Sequence, residues 1–161
     1  MEGAQASVLV TISAFLVTDL IESLSATMRA MSEITVTYEG SLHCTATHES
    51  GTVITTDAPK DNQGNGESFS PSELLSISLG SCILSIMGIA ARSLGLDISG
   101  ATTHVEKEMA NAPRRISKIA VRVRVPGVLD ERQRRKLEEA AHACPVHNAL
   151  KVDAPIIFVW D

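Results

Sequence analysis

The chain has few aromatic residues and no excess of basic ones, and both shortages exclude a class of function. It contains one Trp, one Tyr and three Phe, and its 14 Lys and Arg are outnumbered by 19 Asp and Glu. Nucleic-acid binders need basic side chains to neutralise phosphates, and single-strand binders also need aromatic rings on which bases stack. We therefore expect no nucleic acid among the partners of this protein.

Cysteine is also scarce. Three cysteines in 161 residues are too few and too scattered for the disulfide framework of a small secreted domain. No Lys or Arg precedes the apolar stretch 8–20, so the positive segment of an export signal is missing, and this stretch is shorter than a membrane span. We expect a cytoplasmic protein, in which cysteines are more often catalytic, metal-binding or buried than bridged.

The rest of the composition is that of an ordinary globular protein. Hydrophobic residues make up 44% of the chain and charged residues 20%, and the length suits one domain with a core. The first strand-like pattern follows directly after Met28 and Met31. We therefore predict one domain over residues 31–161 and treat residues 1–30 as an N-terminal extension of unknown role.

Short stretches rich in β-branched residues predict most of the secondary structure. Three of them, separated by glycine-containing turns, precede a loop over residues 57–69 and predict an antiparallel meander. Further on, valines alternate with arginines up to Val125, which is typical of a half-buried strand. The predicted strands cover residues 34–38, 42–47, 52–56, 101–108, 116–125 and 156–160.

A long helix is predicted between these two groups of strands. Ser70 suits the N-cap, Pro71 the first helical position and Glu73 the third, which together make a capping box, and Gly95 is a stop signal. Residues 74–91 carry no charge and are apolar on nearly every side, so this helix should be buried in a protein core or in a bilayer. The serines within it and the polar strands around it favour the core, and we expect no membrane span.

A second, charged helix is predicted over residues 131–143, opened by Asp130. Pro145 cannot continue it and moves Cys144 out of the α conformation, and a short helical turn follows. The predicted order of elements is βββ-α-ββ-α-β, which defines an α+β protein.

Two of the cysteines stand where thiol chemistry is feasible. Cys82 lies inside the apolar helix, where a cysteine is often only a small filler. Cys144 precedes a short helix, whose unpaired N–H groups would stabilise a thiolate, although a cysteine in this place can also have no role. Cys44 falls in the middle of a strand and is interpreted as structural.

Zinc is the alternative that these residue types suggest. Cys144 and His147 could ligate the ion, with His43 and Cys44 as further ligands. The usual paired spacing is missing, however, and a strand places His43 and Cys44 on opposite faces. We therefore assign neither a metal nor a cofactor from the sequence.

Two motifs resemble those of a known family. The run Phe-Ser-Pro-Ser-Glu-Leu-Leu-Ser-Ile-Ser-Leu-Gly-Ser-Cys, which ends at Cys82, and the run His-Ala-Cys-Pro-Val-His, which spans residues 142–147, are similar to the two cysteine motifs of the OsmC/Ohr family. The similarity covers about residues 32–161 and includes the order of elements. It implies an OsmC-like fold with antiparallel sheets around a long buried central helix, in an intertwined homodimer with the site at its interface.

The resemblance also implies an activity. In the peroxidase members the first cysteine attacks an organic hydroperoxide and becomes a sulfenic acid, the second captures it as a disulfide, and a dithiol reductant such as a lipoyl-type compound restores both thiols. Carried over to this chain, Cys82 is the attacking thiol and Cys144 the resolving one.

The chain departs from the peroxidase pattern in its supporting residues. Those members use an Arg from an early strand or loop, held by a Glu directly after the helix-opening proline. No Arg lies between Met31 and Arg92, Ser72 stands in the place of that Glu, and the carboxylate comes one residue later at Glu73. Since burial disfavours a thiolate, Cys82 would need another cation, for which Lys60 is the first candidate; Glu73 and His147 are further supporting residues. The alternative function is a divergent dimer that binds an apolar ligand or senses oxidation.

Overall fold

A computed structural model describes residues 33–160, and its order of elements is the one predicted. The predicted extension over residues 1–30 lies outside the described residues. A single 3₁₀ turn, Lys60–Asn62, interrupts the long loop. The strands are β1 Thr35–Gly40, β2 His43–Thr47, β3 Val53–Asp57, β4 Thr102–Asn111, β5 Arg114–Val125 and β6 Ile156–Trp160. The helices are α1 Pro71–Ser93, α2 Glu131–His142 and α3 Pro145–Ala149.

The strands form two three-stranded sheets, in the orders β1-β2-β3 and β4-β5-β6. The pairs β2–β3 and β4–β5 are antiparallel, as expected, with His43 opposite Asp57 in the first pair. Strand β6 differs from the antiparallel arrangement expected from the sequence, because it pairs with β5 in parallel. The reason is the helical connection through α2 and α3, which returns the chain to the end of the sheet at which β5 began.

Helix α1 begins and ends as its sequence predicts. The Ser70 hydroxyl accepts the Glu73 N–H at 3.3 Å, and the Glu73 carboxylate accepts the Ser70 N–H at 2.7 Å, which completes the capping box. At the other end Gly95 takes a φ of +67°, a conformation that glycine adopts without strain. Among the described residues α1 is the one helix long and apolar enough to cross a membrane, and here it packs against β4 and α2 as the central helix of the fold.

The core lies on one side of α1 only. Its fully buried side chains come from α1, β5 and α2, and they include Leu79, Ile83, Met87, Val121, Val123 and Leu137. The opposite side of α1 is exposed in the single chain, where Ile77 is 44% and Ile89 64% accessible. Burial on every side, as the sequence predicts, is therefore not reached within one protomer, because one sheet and one helix cover only part of the surface of α1.

Gly80 allows α1 to approach β4 closely, and this contact leads to a prediction. A Cβ at Gly80 would lie 2.7 Å from Thr103 Oγ1 and 3.1 Å from Val105 Cγ2, whereas a Cβ at Gly88 would meet nothing within 4 Å. Both replacements by alanine gain about 1 kcal/mol of helix propensity, but overpacking at Gly80 costs about 1–3 kcal/mol. We expect the free energy of unfolding, measured by urea denaturation, to be lower for Gly80→Ala than for Gly88→Ala by about this cost. Equal urea midpoints for the two variants would contradict the close approach of α1 to β4.

Candidate thiol site

The two cysteines of the sequence motifs meet in the structure. Cys82 and Cys144 are 62 positions apart in the chain, and their Sγ atoms are 2.7 Å apart, with the Cys144 thiol donating to Cys82. Both are free thiols. Since a disulfide bond is about 2.0 Å long, a small side-chain movement is enough to join them.

The fold holds each sulfur through its own helix. Cys82 lies on α1 between the fully buried Leu79 and Ile83, which fix the rotation of the helix about its axis. Cys144 is the N-cap of α3, and its Sγ accepts the His147 backbone N–H at 3.5 Å. Pro145 occupies the first position of α3, as predicted, because a helix opens readily with proline.

The environment of Cys144 keeps its proton on the sulfur. Cys144 is completely buried, while Cys82 is only half-buried. Burial, and next the hydrogen bond to Cys82, raise the pKa of the Cys144 thiol above its ordinary value. The N–H groups of His147 and Val146 lower this pKa, but they do not outweigh the first two effects. The N-terminus of α3 therefore favours a Cys144 thiolate, as expected, but removing the sulfur from water has the larger effect on the pKa.

This protonation state predicts the order of alkylation. Iodoacetamide reacts with thiolates, so at about pH 7 we expect it to modify Cys144 more slowly than Cys44 or Cys82 in the reduced protein. Because the pKa of Cys144 is raised, its reaction should accelerate only as the pH passes the ordinary thiol value, and the folded state should lose stability over the same range. Peptide mapping by mass spectrometry measures each site, and a Cys144 that reacts as fast as Cys44 at neutral pH would contradict this assignment.

His147 contacts the thiol pair only through its backbone. Its Nε2 lies 2.9 Å from the carbonyl oxygen of Ala154, so Nε2 carries the proton of that hydrogen bond. Its Nδ1 is shielded from solvent and has no hydrogen-bond partner. The ring packs edge-on against His142, with 5.9 Å between the ring centroids. The side chain thus holds α3 to the segment before β6.

Lys60 and Glu73, the other two supporting residues, form no hydrogen bond to either sulfur within residues 33–160. The exposed Lys60 packs its aliphatic stem over Gly66 and forms no hydrogen bond or ion pair within residues 33–160. Glu73 is occupied by the capping box, and the Ser70 N–H is the main cause that lowers the pKa of its carboxyl group. In this protomer the described residues bring no Lys or Arg side chain into hydrogen-bond contact with either sulfur.

A groove runs along α1 on the side facing β4. It encloses about 670 Å³, and its lining is mainly apolar, with Phe69, Ile77, Leu84 and Val105 along its length. Ser81 lines it but the adjacent Cys82 does not, because one residue turns a helix by about 100°. The sulfurs therefore lie beside this apolar groove rather than at its floor.

The groove contains a cation that sequence reasoning missed. Lys107 on β4 lines it, donates from Nζ to Ser72 Oγ at 2.8 Å, and its charge lowers the pKa of Glu73. Its hydrogen-bond partner Ser72 stands where the peroxidase pattern has a glutamate. The signal was available in the period-two pattern of β4, where Lys107 shares its face with Val105.

The zinc ligands considered from the sequence do not assemble. Cys144 faces Cys82, the His147 ring faces Ala154, and Cys44 lies opposite Thr56 in the first sheet. His43 instead faces Asp57 and Glu67, which form the one group of potential metal ligands in the described part of the chain.

The chain is thus an α+β protein in which the central helix and the start of α3 bring two free thiols within bridging range. Residues 64–158 match the family described as OsmC-like protein. A protein of Psychrobacter arcticus, described as a candidate osmotic stress induced and detoxification response protein, superimposes with a TM-score of 0.75 at 40% identity, over 83% of this chain and 98% of that chain. The chain therefore belongs to the OsmC-like family, as its two cysteine motifs predicted.

More distant structures share the fold. The organic hydroperoxide resistance protein OsmC of Legionella pneumophila superimposes with a TM-score of 0.64 at 15% identity, over 83% of this chain and 99% of that one. An organic hydroperoxide resistance protein of Elizabethkingia anophelis gives a TM-score of 0.63 at 19% identity, over 83% and 99%. Comparison with curated protein sequences gives no significant match.

Proposed function

We propose that this protein is a thiol-dependent peroxidase that reduces organic hydroperoxides through Cys82 and Cys144 in oxidative-stress defence. The observation that carries the proposal is the 2.7 Å separation of the two Sγ atoms while both are free thiols. Cys82 is half-buried and can meet a substrate, whereas Cys144 is enclosed and protonated, which suits a resolving thiol that acts second.

The proposed catalytic cycle has three steps. The Cys82 thiolate attacks the terminal oxygen of the hydroperoxide, the O–O bond breaks, and the alkoxide leaves and is protonated to the alcohol, which gives Cys82 sulfenic acid. The Cys144 sulfur then attacks the Cys82 sulfur, releasing water and forming the disulfide. An external dithiol, which we expect to be of the lipoyl type, reduces this disulfide and is itself oxidised. No cofactor enters these steps.

The substrate class follows from the surface beside the thiols. A groove of about 670 Å³ with a mainly apolar lining favours an alkyl or fatty chain over the small, polar hydrogen peroxide. The relatives from Legionella pneumophila and Elizabethkingia anophelis, both described as organic hydroperoxide resistance proteins, support the same class. We expect the reaction to take place in the cytoplasm, where thiols remain reduced.

We further propose that two copies of the chain form a homodimer over the exposed side of α1. Ile77 and Ile89 on α1, and Phe69 just before it, are 44%, 64% and 57% accessible, and exposed apolar patches are typical of protein interfaces. An aspartate in place of Ile89 should shift the dimer to monomer in sedimentation equilibrium. The matched control is Val128→Asp, on a loop where Val128 is 96% accessible, and it should leave the dimer intact.

One equivalent of cumene hydroperoxide, added to the reduced protein, tests the proposed activity. We expect the loss of two thiols per chain, the release of one cumyl alcohol, and a Cys82–Cys144 disulfide in non-reducing peptide maps, with Cys44 still free. Hydrogen peroxide at the same concentration should react more slowly. A disulfide that includes Cys44 would show that the site is wrongly assigned, and unchanged thiols would exclude the peroxidase.

The second candidate is an OsmC-like dimer that binds an apolar ligand in the groove or senses oxidation without turnover. It is favoured by the lack of a Lys or Arg contact to either sulfur in the described residues of this protomer. Under this alternative the disulfide forms once, but a dithiol reductant supports no repeated consumption of hydroperoxide.

A further inference from the structure

A second cluster of reactive groups lies in the other sheet, where β2 and β3 meet the end of the long loop. His43 Nε2 is 3.8 Å from Asp57 Oδ2 and 3.3 Å from Glu67 Oε2. One potential ligand atom from each of the three residues lies within 4.8 Å of both others. The antiparallel register places His43 directly opposite Asp57, and the loop returns Glu67 to the same point.

The hydrogen bonds of His43 leave its Nε2 lone pair facing the carboxylates. His43 Nδ1 lies 3.2 Å from the Ser41 carbonyl oxygen, which can only accept, so Nδ1 carries the proton. Nε2 is therefore the ring nitrogen that faces both carboxylates, at distances at which the three groups could share one ion. Histidines that bind metals commonly donate their other ring N–H to a backbone carbonyl in this way.

Asp57 supplies the second, independent observation. Its side chain is fully shielded from solvent, and its Oδ1 has no hydrogen-bond partner. Its Oδ2 accepts the Glu67 N–H at 2.9 Å, and this bond is the main cause that lowers the pKa of the carboxyl group. Burial opposes it, and the nearby His43 and the Gly66 and Ala58 N–H groups lower the pKa further. Among residues 33–160 no Lys or Arg pairs with this shielded carboxylate, and His43 is the basic side chain that faces it. Such a group is stabilised when it coordinates a metal.

We propose that His43, Asp57 and Glu67 bind a divalent transition-metal ion, with zinc as the best fit. Zinc bonds to nitrogen and oxygen are about 2.0–2.1 Å long, so neighbouring ligands of a tetrahedron lie about 3.3–3.4 Å apart. The separations from Nε2 are 3.3 and 3.8 Å, and all three ligand atoms lie within 4.8 Å of one another, so a movement of the exposed Glu67 side chain would complete this geometry. Three protein ligands leave the fourth position to water.

The ion would join β2, β3 and the end of the loop that leads into α1. Glu67 lies three residues before Ser70, the N-cap of α1, and the Asp57 N–H donates to the Phe69 carbonyl at 3.2 Å. Because the ion would bind the folded state and link segments that are separate in the unfolded chain, its binding adds to the stability of the fold. This role is independent of the thiol chemistry.

Titration with Co²⁺ and competition by Zn²⁺ tests the site in the full-length, untagged chain. Because the paired thiols could also bind these ions, the test uses a Cys82→Ser, Cys144→Ser background. We expect one Co²⁺ per chain, visible absorption without the near-ultraviolet bands of thiolate ligation, displacement by Zn²⁺, and a raised melting temperature with Zn²⁺. His43→Gln and Glu67→Gln should each weaken binding by about 100-fold or more, since even the outer partners of metal ligands contribute 10–100-fold.

The matched control is His48→Gln, a second histidine of the same sheet region whose ring contacts Ser50 instead. It should bind Co²⁺ as the background protein does. Failure of Co²⁺ and Zn²⁺ to bind at stoichiometric amounts would overturn the proposal. A loss of Co²⁺ affinity in His48→Gln as large as that in His43→Gln would also overturn it. Glu67→Gln replaces an exposed side chain, 67% accessible, so it should fold even if Asp57→Asn does not.

Discussion

Replacing Cys82 by serine is expected to lower kcat/KM for cumene hydroperoxide by at least about 100-fold. The attacking group is a thiolate, and a serine hydroxyl is not ionised at neutral pH. The assay follows consumption of the hydroperoxide with dihydrolipoic acid as reductant. The half-buried Cys82 is the more accessible of the two paired sulfurs, which is why we expect it to act first.

The matched control for this variant is Cys44→Ser. Cys44 lies in the first sheet opposite Thr56 and is also a free, half-buried thiol. It should keep the rate of the wild type. If Cys82→Ser retains full activity, the attacking sulfur is wrongly assigned. If Cys44→Ser is the inactive variant, the attacking sulfur is Cys44 in the first sheet.

Cys144→Ser is expected to separate the first step from turnover. Without a resolving thiol, one equivalent of hydroperoxide should still react with Cys82, but dithiol-dependent turnover should fall by at least about 10-fold, and Cys82 should remain a sulfenic acid. Dimedone trapping followed by mass spectrometry detects this species, and excess hydroperoxide should carry it on to the sulfinic acid. Turnover at the rate of the wild type would show that the reductant attacks Cys82 directly and that the 2.7 Å contact is not used.

These roles depend on the difference in burial between the two sulfurs, which reverses part of the interpretation from the sequence. There, Cys82 was the sulfur inside an apolar helix and Cys144 the one at a helix terminus. In the folded protomer Cys144 is completely enclosed by packing of α1 and α3, and its pKa is raised, whereas Cys82 remains half-buried. A protonated resolving thiol does not compete with Cys82 for the substrate, which suits the proposed order of the two steps.

Lys107 changes where a cation that would assist Cys82 should be sought. The sequence search covered only the residues before the helix and arrived at Lys60, which is exposed. Lys107, from a strand after the helix, lines the groove and binds Ser72.

Local signals in the sequence determined much of the architecture. The capping box of Ser70 and Glu73, the Gly95 stop, the Asp130 N-cap and the break at Pro145 depend only on residues within three or four positions, so they could be predicted and are present in the structure. The two cysteine motifs likewise predicted the OsmC-like family, which the family match over residues 64–158 confirms.

Only the tertiary structure decided the features that depend on distant segments. The parallel pairing of β6, the contact between sulfurs 62 positions apart, the raised pKa of Cys144 and the arrangement of His43 with Asp57 and Glu67 all arise from elements brought together by folding. Their common physical reason is that solvent exclusion and the spacing of charges depend on which segments pack against a residue. The neighbouring residues in the sequence do not show which distant segments these are.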